Sequence, residues 1–265
     1  MDNHNNAEIH DVAKCWSWKK SHHSQLRYPF RGASKIKENY SQAFQDLFVL
    51  SMLDGVRSGT YLEIGAQEPC SNNNTCLLHR EFGWGGLSIE LDPVHLSTWK
   101  KERPRSRLLI ADALSLDYSG ILSELVELGA RKSGLPSLFS KLFPSGQKPT
   151  NRIDYLQLDI DPGINTLGVL KLLPLSDFRF SVITFETDVY TGDLRAQAES
   201  RALLLDHGYK LVGADVSVLY EPVSPRPVPF EDWWVDPLII DDKKITKLSS
   251  LAHTAVCPQD IIFER

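Results

Sequence analysis

The sequence predicts an α/β domain built on a parallel sheet with helices on both faces. Three observations predict it. Short apolar runs alternate with stretches of helical spacing, several runs end on carboxylates, and the 265-residue chain is 42% apolar, enough for one large core. The runs are Thr60–Gly65, Gly86–Glu90, Arg107–Asp112, Ile153–Ile160, Phe180–Glu186 and Tyr209–Gly213. Each is short and bounded by turn residues, as strands covered on both faces are.

Residues 1–39 mix His, Lys, Arg and aromatics without a clean period, which predicts an N-terminal arm; residues 40–265 form the domain. Ser41 is positioned to N-cap a helix carrying Phe44, Leu47, Phe48 and Leu50. Between the third and fourth strands lies an insertion, 118–152. Its first half (Ile121, Leu122, Leu125, Leu128) has helical spacing, and Ser133–Thr150 is rich in Gly, Pro, Ser and Lys, as a lid would be. Lys132, Lys141, Lys148 and Arg152 would give that lid a basic flank. After the Pro-rich Pro222–Pro229, the run Phe230–Pro237 predicts a strand returning beside the sheet, with Glu231, Asp232 or Trp233 near a pocket mouth. Trp233 and Trp234 are either platforms for a sugar ring or core residues.

With 34 acidic and 29 basic residues the formal charge is -5, which argues against general nucleic-acid binding while leaving room for a local basic patch. No run is long enough to span a membrane. Met1–His10 is polar and lacks the apolar core of a secretory signal, so the expectation is a cytoplasmic protein. Its cysteines (Cys15, Cys70, Cys76, Cys257) are then expected reduced, and Cys70 and Cys76 are spaced too widely for the usual zinc knuckle.

The first strand ends Glu63-Ile64-Gly65-Ala66 and the second Glu90-Leu91-Asp92. In a doubly wound sheet this sets a glycine turn beside an acidic strand end, where ribose hydroxyls can be held. Glu90 is the ribose candidate. Asp112, ending the third strand, could accept from an adenine amine or cap the helix that follows. The G-x-G-x-x-G fingerprint for pyrophosphate is missing, and Glu68 in the same loop would repel phosphate. A nucleoside without phosphates and with a cationic group fits better, which describes S-adenosylmethionine; Glu63 would suit its charges.

Two further carboxylate pairs, Asp159/Asp161 and Glu186/Asp188, close the fourth and fifth strands. Carboxylates so crowded need a proton, a metal or a cationic ligand between them. Asp161 and Glu186 are the catalytic candidates. Asp159, Asp161, Glu186 and Asp188 could hold a divalent cation such as Mg2+, or one carboxylate could act directly as general base. The plainer reading has Asp161 capping a turn and Asp188 solvated. His207 suits a helix C-terminus, and His79 and His95 a surface or rim.

Taken together, Tyr40–Asp46, Tyr61–Ala66, Asn73-Asn74-Thr75, Gly83–Glu90 and Asp154–Asp161 resemble the FkbM-type branch of class I S-adenosylmethionine-dependent methyltransferases. The resemblance spans roughly Tyr40–Pro237. It implies a Rossmann-like, doubly wound, seven-stranded sheet in three αβα layers with a reversed final strand. It also implies methyl transfer to oxygen on sugars, glycans or related small molecules. On this reading the cofactor meets Gln42, Glu63, Gly65, Ala66, Asn74, Thr75, Glu90, Leu91, Asp112, Ala113 and Asp159. Homo-oligomer formation is left open. The main alternative is a metal-dependent nucleotide-sugar glycosyltransferase using Asp159-x-Asp161; a non-catalytic module is the third.

Overall fold

A computed structural model of the chain describes residues 19–132, 151–219, 224, 226–249 and 257–264. The expected lid at Ser133–Thr150 lies outside them, as do Pro222, Val223 and Pro225 of the Pro-rich segment.

The strands are β1 (Thr60–Ile64), β2 (Gly85–Glu90), β3 (Arg107–Ile110), β4 (Arg152–Leu158), β5 (Arg179–Glu186), β6 (Lys210–Leu219) and β7 (Pro227–Val235). They form one sheet in the order β3-β2-β1-β4-β5-β7-β6. Neighbours from β3 to β5 are parallel, whereas β7 runs antiparallel to both β5 and β6. This is the Rossmann-like, doubly wound fold of class I methyltransferases. Its strand order reverses between β1 and β4, so a crevice opens there beyond the carboxyl ends of the strands.

The helices are α1 (Gln45–Met52), α2 (Cys76–Phe82), α3 (Leu96–Glu102), α4 (Tyr118–Lys132), α5 (Gly163–Leu172), α6 (Arg195–Asp206), α7 (Asp242–Ser249) and α8 (Pro258–Ile262). Because strand side chains alternate, each sheet face owns a core. Leu62, Leu156, Ile183 and Trp234 pack with α4, α5 and α6, while Tyr61, Tyr155, Val182 and Trp233 pack with α1, α2, α7 and α8. Residues 118–132, expected as part of an insertion, pack as a helix on β1, β2 and β4 through Leu122 and Leu125. In the arm, Leu26, Phe30, Ala33 and Ile36 are buried in the second core. Leu26 bridges Phe263, and the Arg27 guanidinium donates to the carbonyls of Asp260, Ile261 and Phe263.

Some expectations are overturned. Ser41 does not cap α1, which starts at Gln45 after Phe44 in the left-handed region (φ 64°). Ser41 Oγ instead donates to Asp46 at 2.6 Å, and the Tyr40 and Leu47 amides donate to the same carboxylate at 2.9 and 2.8 Å. Trp233 and Trp234 are fully buried, and Trp233 stacks on Phe48 with ring centroids 4.5 Å apart. Neither can carry a sugar ring. Asp232 is also buried, held on the α6 side by Arg201 at 2.7 and 2.8 Å. Among the described residues no helix is long and apolar enough to cross a membrane.

Candidate active site

Two cavities adjoin over the crevice at β1 and β4. One, of about 220 Å³, is lined by Glu90, Leu91, Asp112, Ala113 and Asn165. The other, of about 340 Å³, is lined by Gln42, Glu63, Ala66, Asn72, Asn73, Asn74, Gln157, Glu186, Tyr190 and Phe230. Both share Gly65, Gln67, Asp159 and Asp161. Among the described residues, no Lys, Arg or His lines either cavity.

Gly65 makes this junction possible. Its φ is +79°, and a Cβ there would sit 1.6 Å from the carbonyl oxygen of Asp159. The backbone of β1 therefore passes against the end of β4 as only glycine allows. Gly65 and Ala66 donate to Ile89 at 3.0 and 3.2 Å, and Asp159 donates to Ile64 at 3.1 Å, locking the three strand ends together.

Glu90 receives the Gln67 amide on one carboxyl oxygen (2.7 Å) and the Asp92 amide on the other (2.9 Å). Each oxygen keeps a lone pair free for a hydroxyl. Asp112 does cap the short turn after β3, taking the Leu114 amide on Oδ1 at 2.9 Å, and it lines the smaller cavity as well.

Glu63 is buried and accepts from Ser88 Oγ at 2.6 Å and Thr75 Oγ at 2.9 Å. Burial raises its pKa, and the Arg103 guanidinium pulls it back. Thr75 does not line either cavity; it stands behind the wall holding Glu63, which corrects its expected place as a cofactor contact.

The sequence reading missed Arg103. Its side chain is buried and donates to Pro69 O (3.1 Å), Asn73 Oδ1 (3.0 Å), Thr75 Oγ (3.0 Å), Tyr61 Oη (2.8 Å) and Ser106 Oγ (3.0 Å). It also lies 4.4 Å from the centroid of Trp99, whose indole N–H donates to Gln67 O at 2.7 Å. The loop carrying Asn72, Asn73 and Asn74 hangs from this guanidinium. The same loop is clipped by a Cys70–Cys76 disulfide, which overturns the expectation of four reduced thiols. A six-residue separation closes readily once the loop doubles back into α2.

The carboxylates after β4 and β5 join in pairs. Asp159 hydrogen-bonds Glu186, and Asp161 hydrogen-bonds Asp188. Burial pushes the pKa of Glu186 well above the usual range, with the charge of Asp159 adding to it. Asp159 is raised mainly by burial, and Asp161 by burial and then by Asp188. Asp188 is buried rather than solvated, and its Oδ1 has no hydrogen-bond partner among the described residues. The proposed metal set of Asp159, Asp161, Glu186 and Asp188 is not borne out: among the described residues no group of three or more His, Cys, Asp or Glu is arranged to hold an ion.

Glu231 sits behind this floor rather than at a pocket mouth. Burial lifts its pKa to about 8, and it accepts from Gln45 Nε2 at 3.1 Å and from the indole of Trp233. Gln157, two residues before Asp159 on the same strand face, accepts from the Ile64 amide at 3.1 Å; strand periodicity could have found it. Tyr190, which hydrogen-bonds Asp188, carries no local signal. His79, His95 and His207 each engage a neighbour (Trp84 O, Glu68 and Leu203 O) and line neither cavity.

No protein-family model matches this chain. No curated protein matches it either. Among solved structures it is similar to a TehB-like SAM-dependent methyltransferase from Corynebacterium glutamicum, at 14% identity over 77% of this chain and 91% of that one, with a TM-score of 0.39. It is also similar to a duf574 family protein from Streptomyces avermitilis, at 18% identity over 73% and 81%, with a TM-score of 0.40. For the METTL16 MTase domain the identity is 12% over 72% of this chain and 65% of that one, with a TM-score of 0.42.

Proposed function

We propose that this chain is an S-adenosylmethionine-dependent O-methyltransferase of the FkbM type, acting on a hydroxyl of a sugar, glycan or related small molecule. One observation carries the reading: two adjoining cavities at the β1/β4 switch point, rich in hydrogen-bond acceptors and lined by no cationic side chain among the described residues. A nucleoside bearing a positive charge suits such walls; a diphosphate does not. That weighs against the glycosyltransferase alternative.

The residues present fit the cofactor. Glu90 has free lone pairs for ribose hydroxyls, and Asp112 Oδ2 is open to an adenine amine. Asn74 Oδ1, on the wall of the larger cavity, is buried without a donor among the described residues, and an amino group would satisfy it. When bound, the cofactor supplies an electrophilic methyl group on sulfur.

The chain's own task is to position an acceptor and take its proton. Asp161 is exposed to both cavities, and its raised pKa makes it a stronger base than an ordinary carboxylate. Burial, which raises the pKa of both Asp159 and Glu186, lowers the negative charge of the floor. Gln42, Asn72 and Gln157 offer amide donors and acceptors to a polyhydroxylated ring. The Cys70–Cys76 bridge, which a reducing cytosol would open, weighs against cytoplasmic residence.

The test is calorimetric titration with S-adenosylhomocysteine, with uridine diphosphate plus Mg2+ as control. Micromolar binding of the former, unchanged in Asp161→Asn while transfer of a labelled methyl group to sugars falls about 10²–10⁴-fold, is expected. Binding of the diphosphate alone would overturn the reading.

A further inference from the structure

A third cavity, of about 530 Å³, opens on the end of the sheet remote from the crevice, where β2 and β3 begin. Gly85, Gly86 and Arg107 line it from the sheet, His79 and Arg80 from α2, and Glu102 to Ser106 from the segment ending α3. Its chemistry is opposite to that of the other two. The run Lys100–Arg107 holds Lys100, Lys101, Arg103, Arg105 and Arg107 against the single carboxylate Glu102, in a chain whose net charge is -5.

The three exposed guanidiniums are available. Arg105 makes no hydrogen bond or ion pair with any described residue. Arg80 faces the Glu102 carboxylate at 3.7 Å, donates to the Glu102 carbonyl at 3.3 Å and lies 5.6 Å from the centroid of Tyr40, and Arg107 faces Glu124 at 2.8 Å; both ion pairs stand open to solvent on both sides and exchange partners readily. The fourth, Arg103, is buried at the cavity wall with its donors already committed, so it adds fixed positive charge without moving. Guanidinium forks match the oxygens of a tetrahedral oxyanion in pairs, and the volume is that of a small-molecule site.

We propose that this cavity binds a small molecule bearing a phosphate or sulfate ester, held by Arg80, Arg105 and Arg107. The proposal does not depend on what occupies the crevice at β1 and β4.

The test titrates the full chain with glucose 6-phosphate, glucose 6-sulfate and, as control, glucose. Submillimolar binding of an ester but not of glucose is expected, weakening with added NaCl and at least tenfold weaker in an Arg105→Ala/Arg107→Ala variant. Both replaced side chains are exposed, so the variant folds, and unchanged affinity for S-adenosylhomocysteine or an unchanged melting temperature verifies it. Tighter binding of one ester identifies the ligand as phosphorylated or sulfated. Silence from both esters at millimolar concentration, or binding that the double variant leaves intact, overturns the proposal.

Discussion

Replacing Arg103 by methionine tests whether one buried guanidinium organises the β1 side of the crevice. The change keeps much of the apolar stem and its contact with Trp99 but removes donors to Pro69, Asn73, Thr75, Tyr61 and Ser106. Each such charged hydrogen bond is worth about 1.5–3 kcal/mol in isolation, but bonds sharing one group do not add. A second loss is electrostatic, because Glu63 stays buried with its opposing cation gone. Breaking a buried charged network by removing one partner costs about 3–5 kcal/mol, and that is the expected loss of stability. For a chain of this size it lowers the melting temperature by roughly 10 °C. Urea denaturation gives the free energy directly. In the double variant Arg103→Met/Glu63→Gln the losses should fall short of additive by about 1–3 kcal/mol, since the neutral amide no longer needs the cation. Affinity for S-adenosylhomocysteine should drop with the single variant, as Asn73 and Thr75 lose their anchor. A loss below about 1 kcal/mol, typical of a surface residue, or strict additivity in the cycle, would refute the reasoning.

Other outcomes follow from the same contacts. Gly65→Ala places a Cβ 1.6 Å from Asp159 O at φ +79°; it should abolish S-adenosylhomocysteine binding and cost at least about 1–3 kcal/mol, and intact binding would show that the strand ends can spread. Glu186, Asp159 and Glu231 have folded-state pKa values raised by burial, Glu231 to about 8. The folded state therefore binds more protons than the unfolded one, so stability is highest below the ordinary carboxylate pKa and falls as pH rises from about 4.5 towards 8. Glu186→Gln should flatten that slope in urea titrations at pH 5 and 8, and an unchanged slope would show that Glu186 is ionised throughout. Trp233→Ala, emptying a fully buried site stacked on Phe48, should cost about 3–5 kcal/mol by denaturation. Alkylation of denatured protein without reductant should leave the Cys70–Cys76 segment unlabelled; immediate labelling would mean free thiols.

Much of the crevice was legible because strand ends are local features. The acidic ends of β1, β2 and β3 (Glu63, Glu90 and Asp112) could be read in order, and the strand alternation put them at one edge of the sheet. Of the residues drawn from the motifs, Gln42, Gly65, Ala66, Asn74, Leu91, Ala113 and Asp159 line the two cavities. What local reading misplaced was the depth of side chains. Trp233 and Glu231 occupy alternate positions of a strand whose antiparallel pairing with β5 buries both, and no periodicity distinguishes a pocket mouth from a core. Ser41 resembles a helix cap until Asp46, five residues on, takes its hydroxyl.

The sequence by itself determined the alternation of strands and helices, the glycine turn and the carboxylate at each strand end, since these depend on neighbours along the chain. Only the tertiary structure decided how those groups partner. Arg103 reaches back to Pro69, Asn73 and Thr75, Asp159 finds its carboxyl partner Glu186 on β5, and Cys70 meets Cys76 across a folded loop. Burial sets whether a carboxyl keeps its proton and whether a tryptophan can touch a ligand, and burial is a property of residues brought together from distant parts of the chain.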